Sequence, residues 1–161
     1  MMNINIITIG KLKESYLREA TQEYSKRLSG YCKLSVFELP ESRLSENPSE
    51  KEIENALSIE AKQIEGYISK GSAFNIAMCI EGKQLSSDEL SRKIDVLGIS
   101  GKSTINFIIG SSFGLSSEIK EMSDLRLSMS KMTFPHQLAR VLLLEQIYRS
   151  CMILSGGKNH K

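Results

Sequence analysis

Short apolar runs of strand length alternate with longer stretches of helical spacing along this chain, which confines it to folds built from βα units around a largely parallel sheet. Asn3 to Ile9 reads as the first strand. Glu14 to Leu28 follows as a helix, with Tyr16, Leu17, Ala20, Tyr24 and Leu28 at three- and four-residue spacing and Gly30 as its stop. Leu34 to Leu39 is a second strand, and Pro40 to Pro48 a polar, acidic, mobile loop. Ser49 then opens a helix, because its hydroxyl can take an orphan backbone N–H while Glu52, three residues on, completes a capping box. Ile53, Ala56, Leu57, Ile64 and Ile68 form the stripe that this helix buries. Ala73 to Ile80 is the third strand, Glu81-Gly82-Lys83 a turn, and Ser87 to Leu97 a helix ended by Gly98. The mostly apolar fourth strand, Thr104 to Ile109, suits a position covered on both faces. Ser116 to Met122 is a short helix and Leu125 to Met129 a fifth strand. Gln137 to Leu154 is the last and longest helix, with Pro135 at its start and Gly156-Gly157 at its end.

The 161 residues fit one domain spanning 1–161. With 40% hydrophobic and 25% charged residues, the chain can fill a core, which removes disordered and fibrous classes. Its apolar runs fall far short of the ~20 residues of a membrane helix. The opening MMNINIITIG lacks the basic region and cleavage site of a secretory signal, so a cytoplasmic protein is expected. Cys32, Cys79 and Cys151 are too widely spaced for a disulfide framework or a thiolate zinc site and read as small hydrophobes. The net charge of +2 hides an asymmetry. Residues 131–161 hold Lys131, Arg140, Arg149, Lys158 and Lys161 against Glu145 alone, a balance of +4 that leaves −2 for the remainder. Such a segment can mark a face for an anionic partner, or be a solvated helix end with a basic tail.

Two segments carry candidate chemistry. Gly110-Ser111-Ser112-Phe113-Gly114 follows the fourth strand, where ligands of open α/β sheets settle and glycines let backbone N–H groups approach them, although turn geometry alone also selects glycine. It matches neither G-x-G-x-x-G nor a P-loop, and Gly101-Lys102-Ser103 precedes a strand instead of following one. The second segment, Met129 to His136, leads into the last helix. His136 falls in the first helical turn, where the dipole favours the neutral imidazole, a potential proton acceptor. Arg140 lies one turn further on, so both side chains can face one pocket; the structural alternative is that His136 caps the helix and Arg140 pairs with Glu145. His136 and His160 lie at opposite ends of that helix with no carboxylate cluster at ligand spacing, so no metal is expected. No G-x-S-x-G elbow is present.

The run Leu127-Ser128-Met129-Ser130-Lys131-Met132-Thr133-Phe134-Pro135-His136-Gln137-Leu138-Ala139-Arg140-Val141, continued by Leu144-Glu145-Gln146-Ile147-Tyr148-Arg149, resembles the C-terminal signature of RlmH-type methyltransferases. Ile9-Gly10-Lys11-Leu12-Lys13, Ile80-Glu81-Gly82-Lys83 and the total length agree with it. The resemblance implies a single-domain α/β SPOUT fold: a parallel sheet with helices on both faces and a C-terminal deep trefoil knot, here about residues 105–155. Chain-topology rules alone argue against a knot. It also implies a homodimer that uses S-adenosyl-L-methionine to methylate N3 of a pseudouridine in a stem-loop of 23S rRNA, on the assembled ribosome. Carried over by position, Met78, Gly110 and the loop Met129, Ser130, Lys131, Met132, Thr133 and Phe134 would hold the cofactor. His136 would accept or relay the N3 proton and Arg140 stabilise the developing oxyanion. Arg149, Lys158, His160 and Lys161 would meet RNA, the basic end of one subunit completing the site of the other. Similar proteins usually carry glycine where this chain has Ser111, and a tyrosine where it has Asn159. If position 111 needs a positive φ, serine there costs roughly 1 kcal/mol. The rival readings are a non-catalytic RNA-binding or ribosome-assembly factor on the same fold, and a flavodoxin-like nucleotide-binding module.

Overall fold

A computed structural model of the chain describes residues 1–69 and 71–156. The apolar runs form β1 (Met2–Ile9), β2 (Cys32–Leu39), β3 (Phe74–Gln84), β4 (Thr104–Ile109) and β5 (Leu125–Ser128). All pair in parallel, in the order β2-β1-β4-β3-β5, so every carboxyl end lies along one edge of the sheet. The helices are α1 (Ser15–Leu28), α2 (Glu50–Ile68), α3 (Ser87–Ile99), α4 (Ser117–Met122) and α5 (His136–Leu154).

Alternate side chains of the central strands feed two clusters. Ile4, Ile6, Ile105 and Phe107 pack with Leu28 of α1, Leu90 and Ile94 of α3, and Leu143, Leu144 and Ile147 of α5. Ile7, Ile9, Ala77 and Ile108 pack instead with Ala61, Ile64 and Ile68 of α2 and Ile119 of α4. Each fully buried Ile or Leu of these sets contributes about 1.5–3 kcal/mol of burial. That is why β1 and β4, the most apolar runs, lie inside the sheet.

A row of amides crosses the middle of it. Asn5 Nδ2 donates to Asn106 Oδ1 at 2.9 Å, Asn106 Nδ2 to Asn75 Oδ1 at 2.9 Å, and Asn75 Nδ2 to the Ile68 carbonyl at the end of α2 at 3.2 Å. The three asparagines occupy matching register positions on β1, β4 and β3. Sliding one strand by a residue would strand these amides in the interior at about 1–3 kcal/mol each, so the row fixes the pairing.

The expected elements are present with shifted ends. Ser49 and Glu52 form the reciprocal capping box at 3.2 and 3.1 Å, and Ser86 and Glu89 form a second one on α3. Gly98 does not stop α3, which runs on to Ile99. The turn falls at Gly101, whose φ is +92°, while Lys102 N–H donates to the Leu97 carbonyl. Glu81-Gly82-Lys83 is not a turn either: β3 continues through it to Gln84, with a register shift between Met78 and Lys83 before it meets β5 again. A Cβ on Gly82 would stand 2.7 Å from the Arg126 backbone, so glycine is what lets the shifted strand lie against β5.

The acidic loop after β2 is tied down. Ser42 donates its N–H to Glu60 Oε2 at 2.9 Å and its hydroxyl to the Ala56 carbonyl at 3.3 Å. Glu60 is buried with its second oxygen unpartnered, and burial, more than the nearby Glu41 charge, pushes its carboxyl above the ordinary value of 4.5. The folded protein therefore holds this proton more tightly than the unfolded chain, and stability falls as pH rises above about 4.5 through the folded value. Glu60→Gln keeps an acceptor for Ser42. It should raise Tm at pH 7 to 8, with the gain over wild type disappearing towards pH 4.5. Equal gains at every pH in thermal denaturation would refute the assignment.

Candidate functional site

The carboxyl ends of β3, β4 and β5, together with the start of α5, enclose a cavity of about 660 Å³, well within the size range of small-molecule sites. Parallel pairing puts these ends together, and each contributes a different group.

From β4 comes the loop Gly110 to Gly114. A Cβ on Gly110 would lie 2.2 Å from the Gly114 carbonyl oxygen, and Gly114 takes a φ of +83° while its N–H donates to the Ser111 carbonyl at 2.8 Å. Two glycines thus fold the loop back on itself at the cavity wall. No non-glycine residue among those described has positive φ, so Ser111 sits in ordinary backbone and the strain considered for it does not arise.

β3 contributes Met78, Cys79, Ile80 and Glu81. The Glu81 carboxyl is paired with Lys120 of α4, which holds it below the usual carboxylate range. Burial, and then the Glu81 charge, push the Cys79 thiol up, away from the thiolate form that a nucleophile needs. Beyond β5 the segment 128–132 is shaped by serines: Ser128 Oγ donates to the Ser130 carbonyl at 2.9 Å, and Met132 N–H to Ser130 Oγ at 3.0 Å. The half-buried His136 is the first residue of α5. Pro135 precedes it without a side-chain cap, and no acidic residue occupies the first turn. The first-turn N–H groups are left for solvent or ligand.

The model described as "Predicted SPOUT methyltransferase" matches residues 2–160. The chain belongs to the SPOUT methyltransferase family. A Clostridium beijerinckii protein named ribosomal RNA large subunit methyltransferase H is 51% identical over 162 residues, covering 99% of this chain and all of the relative. A Clostridium kluyveri protein of that name is 48% identical with the same coverage. A Methanococcus maripaludis protein, provisionally given that name, is 53% identical over 160 residues, again with 99% and 100% covered. Among solved structures, that of a probable methyltransferase from Bordetella pertussis Tohama I matches with a TM-score of 0.57 over 93% of this chain and 96% of its own. At 11% identity that likeness shows the fold alone.

Within this SPOUT chain, the cavity brings together Met78, Gly110, Met129, Ser130, Met132, Thr133, Phe134 and His136. Lys131 is exposed and outside the lining. Arg140 does not share the pocket with His136. Its guanidinium, 2% exposed by residue, donates to Glu38 Oε2 at 2.6 Å, to the Gly10 carbonyl at 3.1 Å and to Thr8 Oγ1 at 3.5 Å. The partner is Glu38 of β2 and not Glu145, because one turn along α5 the side chain is aimed at the ends of β1 and β2. Glu145 instead pairs with Arg149, at 2.6 Å. Two of the basic residues behind the +4 balance are therefore engaged within the subunit. Lys158, His160 and Lys161 lie outside the described residues. Sequence reasoning missed Glu38, Cys79, Lys120 and the apolar floor residues Leu127 and Leu143. Only Leu127, inside the quoted signature, carried a local signal.

Proposed function

We propose that this chain transfers a methyl group from S-adenosyl-L-methionine to N3 of a pseudouridine in a stem-loop of 23S rRNA, on the assembled ribosome, in the cytoplasm and as a homodimer. The observation that carries this reading is the cavity at the sheet edge, in a chain 48–53% identical over its full length to proteins named ribosomal RNA large subunit methyltransferase H. The two core clusters support helices on both faces. The return of α5 from edge strand β5 to α1 and α3 supports a knot over about residues 105–155. Leu138 and Leu154 are exposed on α5, whose apolar residues run all round the helix, as they would on a helix with a partner subunit.

The cavity residues fit this cofactor. Met78, Leu127, Met129 and Leu143 offer an apolar floor for a flat base, while Ser111, Ser130 and Thr133 offer hydroxyls. Among the described residues Lys120 is the one lysine or arginine of the lining, and Glu81 neutralises it, so these residues set no uncompensated lysine or arginine against a sulfonium charge. When bound, S-adenosyl-L-methionine supplies an activated methyl on a sulfonium sulfur. The remaining work falls to the protein. N3 is a poor nucleophile until it sheds its imide proton, and in this reading His136 accepts or relays that proton. Arg140 acts as a positioning residue, tying the first turns of α5, and with them His136, to the ends of β1 and β2. N3 lies on the pairing edge, so the base must leave its stack, which a loop substrate makes cheaper.

Incubating the protein with labelled cofactor and ribosomes lacking the modification, then mapping the label, tests the proposal. A single methyl at N3 of one 23S pseudouridine is expected. Label on another atom or another RNA, or none despite cofactor binding, would overturn it.

A further inference from the structure

The segment Gly10 to Lys13 has no role in the cavity, yet it is held with unusual care. Thr8 of β1 stands opposite Ile109 of β4, so the chain leaving β1 emerges beside the Gly110–Gly114 loop. The Gly10 carbonyl accepts from Arg140, and Lys13 N–H donates to Gln137 Oε1 at 3.3 Å, one residue along from His136. Arg18 Nη1 donates to the Leu12 and Lys13 carbonyls at 3.2 and 2.7 Å. Leu12 is buried with Leu17 and Val141, which leaves Lys11 and Lys13 on its two sides exposed to solvent. Two cations are thus presented from a backbone fixed next to the start of α5.

We propose that Lys11 and Lys13, extended by Lys131, form the surface that grips the phosphate backbone flanking the target nucleotide. None of the three lysines lines the cavity, so a ligand that reaches them must extend beyond the cofactor site. Among the described residues none has a carboxylate within ion-pair distance. The acidic groups placed near this rim include Glu38, which Arg140 neutralises, Glu14 ahead of α1, Glu41, whose Oε2 lies beside Gly10, and the buried Glu60 behind Ser42. With Arg18 counted, the rim keeps a positive excess, which complements a polyanion running past His136. Because the loop is already ordered, binding loses little backbone freedom.

This inference rests on the rRNA reading, and the test separates the two. Binding of wild type, K11A/K13A and K11R/K13R to ribosomes lacking the modification is measured across a salt series, beside cofactor affinity by calorimetry. For K11A/K13A the log–log salt slope should become shallower by about 1.4 to 1.8, and the ribosome KM should rise on the order of tenfold, since each lost phosphate contact removes about 0.7–0.9 of slope. Cofactor affinity stays at the wild-type value, and the arginine pair restores the slope. Wild type that binds and methylates beside a K11A/K13A variant of equal affinity and slope would overturn this proposal alone. Wild type that neither binds nor methylates ribosomes would overturn the rRNA reading and this surface with it.

Discussion

Alanine at position 110 should sharply weaken cofactor binding. The added Cβ would stand 2.2 Å from the Gly114 oxygen and 2.4 Å from its carbonyl carbon, both backbone atoms that no side-chain rotation can move aside. The 110–114 loop must open, and the wall of the cavity goes with it. Overpacking of this kind costs about 1–3 kcal/mol of stability. The larger effect should be in titration calorimetry, as a loss of S-adenosyl-L-methionine affinity of at least about tenfold, or ~1.4 kcal/mol. Gly66→Ala is the matched control, since nothing lies within 4 Å of its Cβ and it sits inside α2. It should bind the cofactor normally and gain up to ~1 kcal/mol of helix stability. A Gly110→Ala protein with wild-type affinity would remove this loop from the binding site.

Arg140→Ala is the second large change. It deletes a buried guanidinium that three elements share, orphans the Gly10 carbonyl and leaves Glu38 without its partner. Removing one member of a buried pair costs about 3–5 kcal/mol, but the Glu38 side chain keeps 33% exposure, so about 2–4 kcal/mol is expected here. For a chain of this size that is a fall in Tm of roughly 5–15 °C. Methyl transfer should fall as α5 loses its anchor. Combined with Glu38→Gln, the loss should be clearly less than additive. A variant with undiminished Tm and a collapsed kcat would show instead that the guanidinium reaches the reacting atoms.

What could be read from the residues and what could not divide along one physical line. Local signals served well: the Ser49–Glu52 box, the strand-length runs and the Gly110–Gly114 loop all lie where spacing places them. Features set by distant partners left no local trace. Glu38 lies 102 residues from Arg140, so a helical spacing argument naturally offered Glu145, five residues away, as its partner. Gly82 looks like a turn glycine until β5 is seen against it. The strand order, with β1 between β2 and β4, decides which loops share the edge and was not written in any single run. The quoted signature did locate the largest single block of the cavity lining, since nine lining residues fall within 127–136, but it could not say which way Lys131 and Arg140 point.

The asparagine row through β1, β4 and β3 also gives the sheet an internal reporter. One hydrogen of each bridging carboxamide is spent on the next strand, so it can trade with solvent only when those strands part. The side-chain amide signals of Asn5 and Asn106 in deuterated water would time the opening of the sheet itself, separately from the fraying of helices or of the loops around the cavity.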